Sequence, residues 1–180
     1  MKTSAVRELF LLSAILVFLG FPHSGWAQTV SSANLTGQKL AGELKTPDDV
    51  ARYLWRNFSF EDDQRQFHQN EYWQSPEEFL KNRRGDCEDF AVMAQALLKA
   101  MGIKSFLLNV YGSGYAHTLC VFEEGGKYQV IDGDRVRRYK AASLEELSRK
   151  IHPFWKSSAV VVPSPATKSG RIVKLFAKSA

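Results

Sequence analysis

The stretch Gly85-Asp86-Cys87-Glu88-Asp89-Phe90-Ala91 places one cysteine among acidic residues at the start of an apolar-periodic segment. The spacing predicts a helix over Cys87–Met101, because apolar residues recur there every three or four positions. Asp86 is the expected N-cap, and Gly102 is the expected glycine after the C-terminus. The stretch therefore predicts a cysteine in the first turn of a buried helix.

Position and neighbours have opposite effects on the Cys87 thiol. The N-terminus of a helix carries positive partial charge and unpaired N–H groups, which favour a thiolate. The flanking carboxylates raise the pKa of a thiol, so a basic partner has to outweigh them. With such a partner Cys87 is a candidate nucleophile, and without one it is a buried structural cysteine.

A hairpin downstream contains the candidate partners. Residues Tyr115–Glu123 and Tyr128–Asp132 alternate as strands, and Gly125-Gly126 forms the centre of a two-residue turn between them. The same parity turns Cys120 to the face opposite His117.

The hairpin register places His117 on the same face as two aspartates. Asp132 is one diagonal step from His117 on the neighbouring strand, and Asp134 is directly opposite. Asp132 is preferred because it lies inside the regular alternation, whereas Asp134 falls in the turn that follows. Either carboxylate could orient the imidazole while the other ring nitrogen takes the proton of Cys87.

The coarse order of elements predicts an α+β fold, with helices packed on one side of an antiparallel sheet. Residues 59–72 show no clear period and are expected to be a loop, and Pro163–Gly170 resembles a linker. Helix starts are predicted at Thr46, Ser75, Asp86 and Ser143, and strands at 105–111, 115–123, 128–132 and 159–162.

Four segments are predicted along the 180 residues. Residues 1–27 have a basic start, a short apolar run and small residues before a cleavage point after Ala27, as in a signal peptide. An uncleaved anchor is the alternative. The remaining segments are a flexible N-terminus (28–45), a catalytic domain (46–162) and a C-terminal tail or edge strand (163–180). The expected location is periplasmic or secreted, with membrane contact only through the leader before cleavage.

Charge and cysteine content exclude several classes of function. The formal net charge is +5, but no aromatic-interleaved basic stripe or nucleic-acid motif accompanies it, so the basic residues are interpreted as a solvated face. Cys87 and Cys120 could pair in an exported protein, although a domain of this size does not need a disulfide. No cysteine and histidine pair has zinc-ligand spacing.

These residues together resemble the transglutaminase-like fold, and most closely the bacterial transglutaminase-like cysteine proteinases. The similarity covers the cysteine stretch, the histidine strand and the hairpin that ends at Asp132, and it includes Tyr72–Glu77 upstream. It implies a papain/transglutaminase-like core with a catalytic triad of Cys87, His117 and Asp132. It also implies an exported cysteine peptidase that cleaves a protein or peptide substrate in the cell envelope.

The resemblance raises further expectations about the site. No cofactor is required for the chemistry, but some family members need calcium, held by acids that match Asp86 and Glu88 here. Helix capping and interaction with the helix dipole form the alternative account of the acids beside Cys87. The backbone N–H of Cys87 is one expected oxyanion donor, and the Trp73 indole N–H or the Gln74 amide is the other. A non-catalytic module on the same fold, or a protein-glutamine acyltransferase, is the alternative function.

Overall fold

A six-stranded antiparallel sheet forms the centre of the molecule, in the strand order β6-β5-β4-β3-β7-β8. The computed structural model describes residue 40 and residues 42–178, and the predicted signal peptide, residues 1–27, lies outside these described residues. In chain order the elements are α1 (Pro47–Asn57), β1 (Ser59–Phe60), α2 (Asp63–Gln66), α3 (Pro76–Asn82), β2 (Arg84–Gly85), α4 (Cys87–Ala100), β3 (Ser105–Gly112), β4 (Tyr115–Glu124), β5 (Lys127–Asp132), β6 (Arg135–Ala141), α5 (Leu144–Ile151), β7 (Trp155–Ser164) and β8 (Ser169–Ala177).

Helices cover both faces of this sheet. On one face α1, α3 and α4 bury a core with sheet residues that include Leu107, Cys120 and Ile131. On the other face Leu147 of α5 packs against a second core that includes Leu119. The expectation that helices lie on one side is therefore wrong for α5, which returns across the opposite face before β7.

The helix starts follow their predicted capping chemistry. Thr46 and Ser75 each form a capping box, in which the side chain accepts from the third helical N–H and an acidic residue bonds back to the cap. Ser143 accepts from Glu146 N–H at the start of α5. These local signals position α1, α3 and α5 as the sequence predicted.

The predicted hairpin register is confirmed. Cys120 pairs with Ile131, and Glu124 pairs with Lys127 around the tight turn. Gly125 and Gly126 both have positive φ, 60° and 69°, which a two-residue turn of this type requires. The turn residues therefore fix which side chains of β4 and β5 share a face.

Two predictions of irregular structure are wrong, and one strand was not predicted. The expected loop 59–72 contains β1 and α2. The basic segment Arg135–Ala141 is strand β6, at the edge of the sheet beside β5. The expected linker Pro163–Gly170 begins in β7 and ends in β8, because the two strands pair as a long hairpin. The predicted edge strand in the C-terminal segment is confirmed as β8.

Residues before position 46, the predicted start of the catalytic domain, also pack against the first core. Leu40 and Leu44 pack against the first core, and the Leu44 N–H donates to the Leu40 carbonyl.

Across the described part of the chain, no helix combines the length and the apolar character needed to cross a bilayer.

Candidate active site

Cys87 is the first residue of α4, and the short β1–β2 pair leads directly to it. Phe60 of β1 lies opposite Gly85 of β2, two positions before the cysteine. A side chain on Gly85 would collide with the Asp89 carboxylate and lie 2.7 Å from Gln74 Nε2. Glycine at this position therefore lets the chain enter the helix closely packed against its neighbours.

His117 is hydrogen-bonded to Asp132. His117 Nε2 lies 2.7 Å from Asp132 Oδ1, as the shared face of β4 and β5 predicts. Asp134, the alternative that the sequence left open, lies in the turn after β5 and faces the Arg135 guanidinium at 3.4 Å. The hydrogen bond from His117, together with nearby Arg137, holds the pKa of Asp132 below its usual value, so Asp132 is ionised at neutral pH.

Cys87, His117 and Asp132 line one cleft of about 240 Å³. The β4–β5 pairing extends only as far as Cys120, so the start of β4 pairs with β3 alone. In this part of β4 the backbone of Thr118 lies close enough to Cys87 to lower the pKa of its thiol, against the larger effect of burial. The nucleophile candidate thus lies against the strand that carries His117.

Cys87 is a protonated thiol in this arrangement. Burial raises its pKa, and the negative charge of Glu88 raises it further. The thiol donates to Glu88 Oε2, with Sγ and the oxygen 3.3 Å apart. A resting thiol has to lose its proton during attack, which requires a general base such as the imidazole of His117.

Buried carboxylates surround the start of α4. Oxygens of Asp63, Asp86 and Asp89 lie within 4.8 Å of one another, and Asp86 and Glu88 form a second group with Cys87. Burial first, then the charge of Asp86, raises the pKa of both Glu88 and Asp63. Such crowding of carboxylates is stabilised by protons or by a cation.

The capping part of the alternative account of these acids is wrong, whereas Glu88 and Asp89 do lie in the first turn of α4, as the dipole part expects. Asp86 occupies the N-cap position, but its side chain makes no capping bond. Asp89 instead accepts from the Gln74 backbone N–H at 2.8 Å and from its side-chain amide at 2.5 Å. Within the described residues, one oxygen each of Asp63, Asp86 and Glu88 is buried with no hydrogen-bond partner. These oxygens fit the ligand set of a hard divalent cation.

Sequence reasoning missed Asp63, which joins this cluster from α2. Its carboxylate accepts from the Tyr72 backbone N–H, and the residue is almost fully buried. The available signal was the acidic run Glu61-Asp62-Asp63, but its segment was expected to be a loop. A contact between residues 63 and 86 depends on the tertiary fold, so local spacing could not reveal it.

The structure does not bring Gln74 or Trp73 to the cleft, so the prediction that one of them binds the oxyanion is wrong. The Gln74 amide donates to the Arg84 carbonyl at 2.9 Å and to Asp89, and accepts from Asn82 at 2.7 Å. The Trp73 indole N–H donates to the Glu71 carboxylate. Both side chains line a different pocket, of about 280 Å³. Of the expected oxyanion donors, the backbone N–H of Cys87 therefore remains a candidate.

Both cysteines are free thiols, so the alternative disulfide between Cys87 and Cys120 is absent. Cys120 is fully buried in the first core, on the sheet face that its parity predicts. Its burial raises its pKa and makes it unreactive. Cys87 is therefore the cysteine available to chemistry.

Comparisons with known proteins give one family and several solved structures. Residues 29–140 match the family model described as a transglutaminase-like domain. A candidate cysteine protease from Cytophaga hutchinsonii is 20% identical, with a TM-score of 0.45 over 58% of this chain, which spans 38% of that protein's length. Calcium-bound LapG from Legionella pneumophila is 21% identical, with a TM-score of 0.47 over 69% of this chain and 82% of LapG. EGTA-treated LapG is 20% identical, with a TM-score of 0.47 over 70% of this chain and 83% of LapG.

No curated protein matches the sequence. The match to the family model covers more than half of the chain and includes the cysteine, the histidine and the aspartate described above. The α+β architecture, with a cysteine-bearing helix on an antiparallel sheet, confirms the predicted papain/transglutaminase-like core. The chain belongs to the transglutaminase-like domain family.

Proposed function

We propose that this protein is a thiol hydrolase of the cysteine peptidase type, with Cys87 as nucleophile, His117 as base and Asp132 as the residue that orients the imidazole. The observation that carries the proposal is the 2.7 Å contact between His117 and Asp132, in the same cleft as the helix N-terminal cysteine. Because Asp132 holds Nε2, the other ring nitrogen, Nδ1, is the one available to the thiol.

The residues support a two-stage reaction. The sulfur of Cys87 attacks an amide carbonyl carbon while His117 takes the thiol proton, and the Cys87 backbone N–H donates to the developing oxyanion. The C–N bond then breaks, the imidazolium gives its proton to the leaving amine, and a thioester forms. Water, deprotonated by His117, cleaves the thioester, releasing the carboxylic acid and restoring the thiol.

We propose calcium as a structural activator at the acid cluster. Asp63, Asp86 and Glu88, each of which has a buried oxygen without a hydrogen-bond partner among the described residues, would hold the ion through these oxygens. The bound ion would supply positive charge that offsets the negative charge now raising the pKa of Cys87. EGTA is expected to lower activity at least about tenfold, with recovery on added calcium but not on added sodium at equal ionic strength. Full activity after exhaustive chelation would contradict a calcium role.

We further propose an exported enzyme that acts on a protein of the cell envelope. Wild type, Cys87→Ala and Cys120→Ala are incubated with envelope proteins of the source organism, and the fragments are compared by mass spectrometry. New fragments are expected with wild type and with Cys120→Ala, and none with Cys87→Ala. Identical fragment patterns from all three proteins would contradict the hydrolase.

A non-catalytic module is the second candidate, since the raised pKa of Cys87 also suits an inert thiol. The two functions differ in thiol chemistry. In a non-catalytic module, a thiol reagent would modify Cys87 slowly whether or not calcium or His117 is present. In a hydrolase, the rate of this modification would depend on both.

A further inference from the structure

Two large aromatic side chains are exposed beside the cleft. Phe60 lines the cleft together with Cys87 and is 69% exposed. Trp55 is 64% exposed and lines an adjoining groove of about 480 Å³. Asp134 borders both depressions, so the cleft and the groove adjoin at this residue.

The fold does not require either aromatic ring. Trp55 lies on the outer face of α1, whose buried residues are Val50, Ala51 and Leu54. Phe60 belongs to β1, where both side chains are exposed and pairing with β2 is through the backbone. A large ring left in water forgoes the free energy that its burial would contribute, and exposed apolar side chains beside a cleft mark binding surfaces.

The charges around the groove are already paired within the molecule. Asp48 pairs with Arg138 of β6, and Arg52 pairs with Asp49 at 3.1 Å. Arg135 faces Asp134 at 3.4 Å. Since the partners of these charges are internal, the groove is suited to select a ligand by its apolar side chains rather than by its charge.

We infer that the cleft and groove bind an extended polypeptide whose large apolar side chains pack on Phe60 and Trp55, one at each ring. The inference rests on the proposed function, because it places this polypeptide as the substrate across Cys87. Because the groove adjoins the catalytic cleft at Asp134, we take its occupant to be the polypeptide that carries the cleaved bond. Phe60 and Trp55 are therefore specificity-determining residues.

The test separates binding from cleavage. The Cys87→Ala protein is used to select binders from a random dodecapeptide display library. Among the selected peptides, large aliphatic and aromatic residues are expected to be enriched about tenfold over the starting library at two positions with a fixed spacing. A tenfold gain in affinity is what one modest apolar contact provides. Adding Phe60→Ser is expected to abolish the enrichment at one position, and adding Trp55→Ser at the other.

Leu175→Ser is the matched control. Leu175 is 60% exposed and apolar, but it lies on β8 at the edge of the sheet opposite β6. Its substitution is expected to leave the enrichment in place. Circular dichroism checks that each variant is folded, which the exposure of all three side chains favours.

The outcomes distinguish the inference from the proposed function. No apolar enrichment, or the same enrichment in Phe60→Ser and Trp55→Ser as in their parent, would overturn the inference, even if wild type cleaves peptides. If selection depends on both rings but wild type cleaves none of the selected peptides, the binding specificity stands and the hydrolase fails.

Discussion

At the scale of single residues, the Asp132 carboxylate determines how the imidazole of His117 can act. It holds Nε2 at 2.7 Å and is itself ionised, so it both orients the ring and stabilises the imidazolium formed when the thiol proton moves. Parity and hairpin register predicted this pair from the sequence, because both depend on a local turn. The place of Asp63 in the acid cluster and the hydrogen bonds of Gln74 join residues that are distant in the sequence. A local turn does not fix such contacts, so the sequence could not predict them.

Asp132→Asn should lower kcat by about 100-fold or more, since a neutral amide does not stabilise the imidazolium and can present the wrong group to Nε2. Asp134→Asn, two residues further along the chain, is expected to lower kcat by less than about tenfold. The measurement is kcat on a peptide cleaved by wild type. A larger loss for Asp134→Asn than for Asp132→Asn would reverse the assignment.

Gln74→Leu should destabilise the fold without removing catalysis. It removes a buried amide bonded to Arg84, Asp89 and Asn82, at a cost of about 1–3 kcal/mol in the free energy of unfolding. Urea unfolding measures this cost, and Gln69→Leu, at an exposed position, is the matched control. If folded Gln74→Leu protein lost kcat by about 100-fold, the size of a lost oxyanion donor, Gln74 would act in the cleft after all.

At the scale of elements, the local signals predicted the capped helices well and the edge strand β6 poorly. The capping boxes at Thr46 and Ser75 are short-range chemistry, so α1 and α3 start where expected. Strand β6 is mostly exposed and basic, so it lacks the apolar alternation that marks a strand. Its pairing with β5 is set by the chain reversal after Asp132, which the sequence did not identify as a second hairpin.

Gly85→Ala should disturb the start of α4. The added methyl group would meet the Asp89 carboxylate and Gln74 Nε2, both buried, at a cost of about 1–3 kcal/mol in the free energy of unfolding. Gly42→Ala is the matched control, because among the described residues nothing beyond its chain neighbours and its own helix backbone lies within 4 Å of the added carbon. Thermal unfolding of both variants measures the effect, and equal melting temperatures would contradict the close packing described for Gly85.

At the scale of the whole molecule, helices on both faces hold the sheet, and ion pairs tie its edge to the first helix. Arg138 of β6 binds Asp48 of α1 through two hydrogen bonds and also reaches Glu124 of β4 at 3.3 Å. The prediction that the basic segment is only a solvated face is therefore wrong for Arg138. Tertiary pairing of this kind is invisible to charge patterning along the chain.

Arg138→Gln should lower the free energy of unfolding by about 0.2–1 kcal/mol at neutral pH, the range measured for exposed ion pairs. The hydrogen bond from Arg138 lowers the pKa of Asp48 in the folded state, so the stabilisation is present above the unfolded pKa of about 4 and is lost as the pH falls through the folded value. The difference in Tm from wild type should therefore shrink below about pH 4. Arg149→Gln, which breaks an exposed pair within α5, is the control. A difference that stays constant down to pH 3 would contradict this account.

The most direct test of the catalytic unit is the rate at which iodoacetamide alkylates Cys87 in calcium-containing buffer, followed by mass spectrometry. Wild type should react at Cys87 and leave buried Cys120 unmodified. His117→Ala and Asp132→Asn should each slow the reaction at Cys87 at least about tenfold, because the thiol loses the base that takes its proton. Equal rates at Cys87 in wild type and His117→Ala would show that the imidazole does not act on the sulfur, and would contradict the triad.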